Sequence, residues 1–139
     1  MLRNIFAVVA GFCGMLLIIA ATQLAAAKLY PLPPGFDLRD MAQLKAFVDS
    51  VPLSVELLVV AGWCLGAFAG AGVTARLAKS YKLPLAMVIG AFVAAATIAN
   101  AVRVPHPDWM TVSGVLGPLV MAWIAQRLAV APEPVLPTD

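Results

Sequence analysis

The chain has 139 residues, of which 63% are hydrophobic and only 12% are charged, and its formal net charge is +2. A small soluble fold buries only about two-thirds of its surface, so it has too little interior for this much apolar side chain. The composition therefore excludes an ordinary soluble domain, and a slight net charge without a basic run argues against a nucleic-acid partner. We expect an all-α integral membrane protein that contacts lipid.

Four uncharged stretches are long enough to cross a bilayer as helices. Each is close to the ~20 residues that a spanning helix needs, and none shows the alternating polarity of barrel strands. The first stretch has a basic start like a signal peptide, but its apolar run is longer than a signal sequence requires, so we interpret it as an uncleaved span. The sequence predicts one four-helix domain over residues 1–130, with spans at about 4–28, 52–79, 83–102 and 109–128.

The first loop between spans contains the most structured extramembrane segment. Residues 30–35 are rich in proline and should be extended. Residues 37–50 are typical of a short amphipathic helix, in which Asp40 and Gln43 have the spacing of a capping box. This helix could cap the bundle, lie on the membrane surface or dock on a partner. Its apolar face would consist of Met41, Leu44, Phe47 and Val48.

Basic residues predict the orientation of the chain. Arg76, Lys79 and Lys82 crowd the short turn between the second and third spans with no acidic residue nearby, and basic loops stay in the cytoplasm. We therefore expect both termini and this turn to be cytoplasmic. The tail, residues 131–139, contains three prolines and should be flexible.

A stripe of glycines runs along the second span. Gly62, Gly66 and Gly70 recur every four residues, so they share one helix face on which another helix can approach closely. The spacing predicts either packing within this chain or a contact with another protein. Trp63, next to the stripe, is expected to face lipid or a partner.

A set of polar residues should lie near the outer ends of the spans. Glu56 lies about one turn inside the second span, and an ion pair with Arg103 would tie helix ends together. A proton or ion site, or contact with a partner or a lipid head group, are the alternatives. The other members of this predicted cluster are Gln23, Asn100 and His106.

No set of residues indicates catalysis or a resident cofactor. Cys13 and Cys64 lie inside spans without neighbouring ligands, and the single histidine, His106, cannot supply both axial ligands of a haem. No nucleophile motif or phosphate-binding loop is present. We expect no enzyme activity, no cofactor and no metal. Pro118 in the last span predicts a kink, or a break that binds substrate.

The segment Tyr30–Asp37, the glycine-striped second span and the pair His106-Pro107 resemble small bacterial four-span inner-membrane proteins. The resemblance implies a multi-pass protein of the bacterial inner membrane and carries no activity and no site residue.

The expected function is that of a non-catalytic accessory or scaffold subunit of a larger membrane complex, plausibly respiratory or photosynthetic. It would bind other integral membrane proteins, or copies of itself, by helix packing. The alternative is a small homo-oligomeric transporter or channel with its pore between copies. A membrane enzyme acting on lipid or quinone would require Glu56, Arg103 and His106 to converge on one pocket.

Overall fold

The computed structural model describes residues 1–130, and this part of the chain is all-helical. Four of its helices are long and apolar enough to cross a membrane, and the fifth is the short helix of the first loop. The predicted proline-rich tail, 131–139, lies outside the described residues. The helices are α1 (Leu2–Leu29), α2 (Met41–Ser50), α3 (Leu53–Leu77), α4 (Lys82–Ala101) and α5 (Asp108–Ala129).

The observed helix ends lie close to the predicted ones, and the largest difference is at the start of α2. This helix begins at Met41, rather than at residue 37, because Asp40 adopts an extended conformation and caps it. The Asp40 carboxylate accepts hydrogen bonds from the backbone N–H groups of Ala42 and Gln43, at 2.9 and 3.2 Å. These bonds, that of Gln43 foremost, lower the pKa of Asp40, so the cap is lost only as the pH falls through this lowered pKa.

The four long helices run in alternating directions, with α3 at the centre of the bundle. α3 packs against α1, α4 and α5, while α1 touches α4 only slightly and does not pack on α5. We call the end that carries α2 and the α4–α5 connection the lid end, and the end that carries the α3–α4 turn the turn end.

Small side chains explain why α3 takes the central place. Ala67, Ala71 and Ala75 are completely buried, and with the glycines they leave a thin helix that three neighbours can approach closely. In contrast, only 17% of the apolar window of α1 is buried, so this helix presents most of its surface to the outside.

Pro118 lies fully buried inside α5, and the carbonyl that it frees finds a new partner. Proline has no N–H, so it cannot donate to the carbonyl of Gly114 four residues earlier. The Thr97 hydroxyl of α4 lies 3.1 Å from this carbonyl oxygen and 3.0 Å from the carbonyl oxygen of Val93. Thr97 thereby offsets the missing helix bond and joins α4 to α5.

We expect Thr97→Val to destabilise the bundle by about 0.5–2 kcal/mol, because it leaves the Gly114 carbonyl without a donor in an apolar interior. Thr97→Ser keeps the hydroxyl and should restore most of the loss. The measurement is the thermal unfolding midpoint in mild detergent. Equal midpoints for Thr97→Val and the unaltered chain would show that Thr97 does not satisfy this carbonyl.

Candidate binding site

The glycine stripe of α3 packs against α1 of the same chain. A Cβ atom added at Gly70 would lie 2.6 Å from the carbonyl oxygen of Gly11, and one at Gly66 would lie 3.1 Å from that of Met15. A Cβ at Gly62 would collide with the side chain of Thr22. Of the two predicted contacts for the stripe, the one within the chain is therefore observed, and α1 leaves no room there for a partner.

Trp63 lies in the interior, so the prediction that it faces lipid or a partner is wrong. Only 8% of its surface is exposed, and it belongs to the core cluster. A Cβ at Gly114 of α5 would lie 2.7 Å from the indole ring. The glycine of a neighbouring helix thus provides the space for this large side chain. Because Gly114 is 51 positions away from Trp63, the sequence around Trp63 gives no sign of this contact.

A cavity of about 430 Å³ opens at the lid end of the bundle. Four of the five residues predicted to cluster there line its wall, and they come from α1, α3, α4 and the α4–α5 connection: Gln23, Glu56, Asn100 and His106. Arg103 is exposed and does not line the cavity. Among residues 1–130 the one ion pair is Lys45–Asp49, so the expected Glu56–Arg103 pair does not form.

Glu56 is the most unusual member of this wall. Its residue surface is 9% exposed, yet its carboxylate has no hydrogen-bond or ion-pair partner within the described chain. Every fully enclosed side-chain oxygen or nitrogen among the described residues has a hydrogen-bond partner. Because the carboxylate oxygens of Glu56 have none, they must retain accessible surface. The space that they reach is the cavity.

His106 is held in place by a hydrogen bond to the backbone of its own loop. Its Nδ1 lies 2.7 Å from the carbonyl oxygen of Val104. Because a carbonyl only accepts hydrogen bonds, Nδ1 carries a proton and donates it to this oxygen.

The α2 helix borders the cavity through its side chains. Phe47 and Val48 line the cavity, although the backbone of α2 does not pack on any long helix. Phe47 stacks at 5.2 Å on Tyr30, whose hydroxyl donates a 2.8 Å hydrogen bond to Ser50. Two α2 side chains thus share the cavity wall with residues of the long helices.

A second groove, of about 230 Å³, continues from the cavity between α1 and α4. The two spaces share Gln23, Trp63 and Asn100 in their walls. Toward the turn end the groove closes at Phe92, whose ring meets Phe12 edge-on at 4.9 Å. The polar residues thus stand at the lid end, and the groove below them is apolar.

Two features of this region were missed from the sequence. The groove arises because α1 and α4 barely touch, a tertiary arrangement with no local signal. An alanine row on α4 does have a local signal, a spacing of four residues. The row consists of Ala91, Ala95 and Ala99, all exposed.

Within residues 1–130 no three His, Cys, Asp or Glu side chains lie close enough to hold a metal ion. The site therefore consists of a carboxylate, two amides, an imidazole and aromatic rings around an apolar space. A scan against protein-family models, a search of curated proteins and a search of solved structures each gave no match to this chain.

Proposed function

We propose that this chain is a non-catalytic accessory subunit of a bacterial inner-membrane protein complex, with its lid end on the outer side and its termini in the cytoplasm. The observation that carries the proposal is the exposed alanine row of α4. Ala91, Ala95 and Ala99 share one helix face and pack against nothing within the chain's core.

Small residues spaced by four are typical of faces on which transmembrane helices meet, because they let two backbones approach closely. Exposed positions on α3 and α5 include large side chains, such as Leu57 and Leu65 on α3 and Leu116 on α5, each more than half exposed. The α4 row therefore suits another protein helix better than it suits lipid. We therefore propose the α4 row as the partner contact in place of the glycine stripe, because α1 already covers the stripe.

The interior supports a binding role over transport through the bundle. Apart from Glu56, the buried polar side chains of residues 1–130 are Thr74 and Thr97. Both hydroxyls hydrogen-bond to backbone carbonyls. A carrier normally places polar groups near the membrane midplane, and these two threonines are engaged in holding helices together.

Replacing Ala95 by leucine is expected to release the protein from its complex without unfolding it, because the added side chain projects outward. Gentle detergent extraction of the native membrane, native sizing and mass spectrometry of co-migrating chains give the readout. The matched control is Ala61→Leu on α3, an exposed alanine flanked along its face by Leu57 and Leu65.

Ala61→Leu should leave co-migration unchanged. If Ala95→Leu also keeps the same partner in the same proportion, the α4 row is not the contact. If the unaltered chain migrates alone or as a small homo-oligomer, the accessory-subunit proposal fails and the transporter alternative takes its place.

A further inference from the structure

We propose that the lid-end cavity and the α1–α4 groove form a binding site for a lipophilic amine, a molecule with a cationic ammonium head and an apolar tail. The ammonium would lie against the Glu56 carboxylate, and the tail would lie in the groove. This site is separate from the alanine row of α4 and does not depend on the proposed function.

The Glu56 carboxylate is the feature that selects a cation. It stands in the first turn of α3, where the positive end of the helix dipole favours a negative charge. No Lys or Arg lines the cavity, and Glu56 has no ion-pair partner among residues 1–130. The carboxylate faces the cavity without a partner, and a ligand cation would supply the partner that the chain does not provide.

Aromatic rings surround the same space. Tyr30, Phe47 and Trp63 line the cavity together with Glu56. A cation is attracted to the negative face of an aromatic ring, and clusters of such rings recognise ammonium groups. The carboxylate and the rings therefore favour the same head group.

The groove between α1 and α4 fits the tail. Trp63 lies seven residues beyond Glu56 on α3, so the path from the carboxylate to the shared wall of the two spaces is about 10 Å along the helix. Below that point the groove is bounded mostly by apolar side chains, from Ile19 of α1 to Val93 of α4. A linear alkyl chain has the polarity that this space accepts.

The wall also distinguishes among amphiphiles. A fatty acid would bring its carboxylate against Glu56, which repels it. An aminophospholipid would bring a phosphate into a cavity that no Lys or Arg lines. The inference is therefore limited to amines without an acidic group beside the nitrogen.

The test titrates the purified full-length chain in maltoside micelles with three probes that share one tail: dodecylammonium, dodecanol and dodecanoate. Titration calorimetry gives the affinities, and native mass spectrometry gives the number bound. We expect one dodecylammonium per chain, bound at least about tenfold more tightly than dodecanol, and no binding of dodecanoate. Equal affinities for the amine and the alcohol would overturn the proposal.

Glu56→Gln keeps the shape of the side chain and removes its charge, so it should abolish the preference for the amine. The matched control is Asp108→Asn, which removes an exposed acid from the first turn of α5 at the same end of the bundle, and it should keep the preference. Phe47→Ala, on the lid and outside the four long helices, should weaken amine binding several-fold.

Circular dichroism verifies that each variant remains helical. Retention of the amine preference in Glu56→Gln, or its loss in Asp108→Asn, would contradict the site. Displacement of dodecylammonium by phosphatidylethanolamine at comparable concentration would overturn the restriction to amines without phosphate.

Discussion

Substitution of Gly70 by alanine is expected to destabilise the bundle by about 1–3 kcal/mol, the usual cost of overpacking a close contact. The new Cβ would lie 2.6 Å from the carbonyl oxygen of Gly11 and 2.8 Å from the Cβ of Met15. Neither atom belongs to the flexible end of a side chain, so α1 as a whole must move away from α3. Because the contact between these helices extends along both of them, the shift would weaken the neighbouring glycine positions too.

Gly14→Ala provides a control with the same chemical change. A Cβ at Gly14 meets nothing within 4 Å, and alanine favours a helix over glycine by up to ~1 kcal/mol. This variant should therefore be neutral or slightly stabilised. The measurement is the unfolding midpoint in a detergent titration, and equal midpoint shifts for the two variants would refute the close α1–α3 contact.

The second large effect is expected at the other side of α3. Trp63→Ala should destabilise the bundle by roughly 3 kcal/mol, as is usual when a large buried aromatic side chain is deleted. The indole lies between α3 and Gly114 of α5 and also borders the groove, so its loss leaves a void that the helices cannot fill without shifting. In a bilayer this cost comes from lost van der Waals contacts more than from transfer out of water.

Trp123→Ala is the matched control for this prediction. Trp123 is 46% exposed, and its ring contacts Arg127, with the guanidinium carbon 5.1 Å from the ring centroid. An exposed cation–π contact contributes only about 0.5–1 kcal/mol. Thermal unfolding in detergent should therefore separate the two tryptophans clearly, and a larger loss for Trp123→Ala would contradict the buried position of Trp63.

The sequence predicts the helices well because their signals are local. Runs without charge define four long apolar helices, and Asp40 with Gln43 indicates the start of α2 to within a few residues. At that start the side-chain amide of Gln43 donates a 2.9 Å hydrogen bond to the Asp40 carboxylate, whereas in a capping box the side-chain oxygen of Gln43 would accept one from the backbone N–H of Asp40. The sequence therefore predicts where α2 begins better than it predicts the individual hydrogen bonds of its cap.

The partners of each helix face are harder to predict. The spacing of Gly62, Gly66 and Gly70 shows that a helix approaches, but the identity of that helix depends on the facing surface. In the structure that surface is α1, where Gly11 and Thr22 oppose the stripe. The outward direction predicted for Trp63 is wrong for the same reason. The glycine that accommodates its ring is on α5, and the sequence of α3 does not reveal it.

The polar cluster is predicted only from how far each residue lies along its span. That position does not show which way the side chain points. Gln23, Glu56, Asn100 and His106 were expected at one level near the ends of their segments, and all four line the cavity. Arg103 lies at the same end of α4 as Asn100, yet it is exposed and stands outside the cavity. α4 ends at Ala101, between these two residues, so helix periodicity does not relate the direction of the Arg103 side chain to that of Asn100.

The most direct test of the proposed function places a photo-activated cross-linking residue at Ala95 and, separately, at Ala61, and irradiates the native membrane. If the α4 row contacts a partner, position 95 gives one discrete cross-linked product with another integral membrane protein, and this product is lost when Ala91 is also replaced by leucine. Position 61 gives only lipid adducts. Lipid adducts alone from both positions would contradict the account, because the α4 row would then face the bilayer.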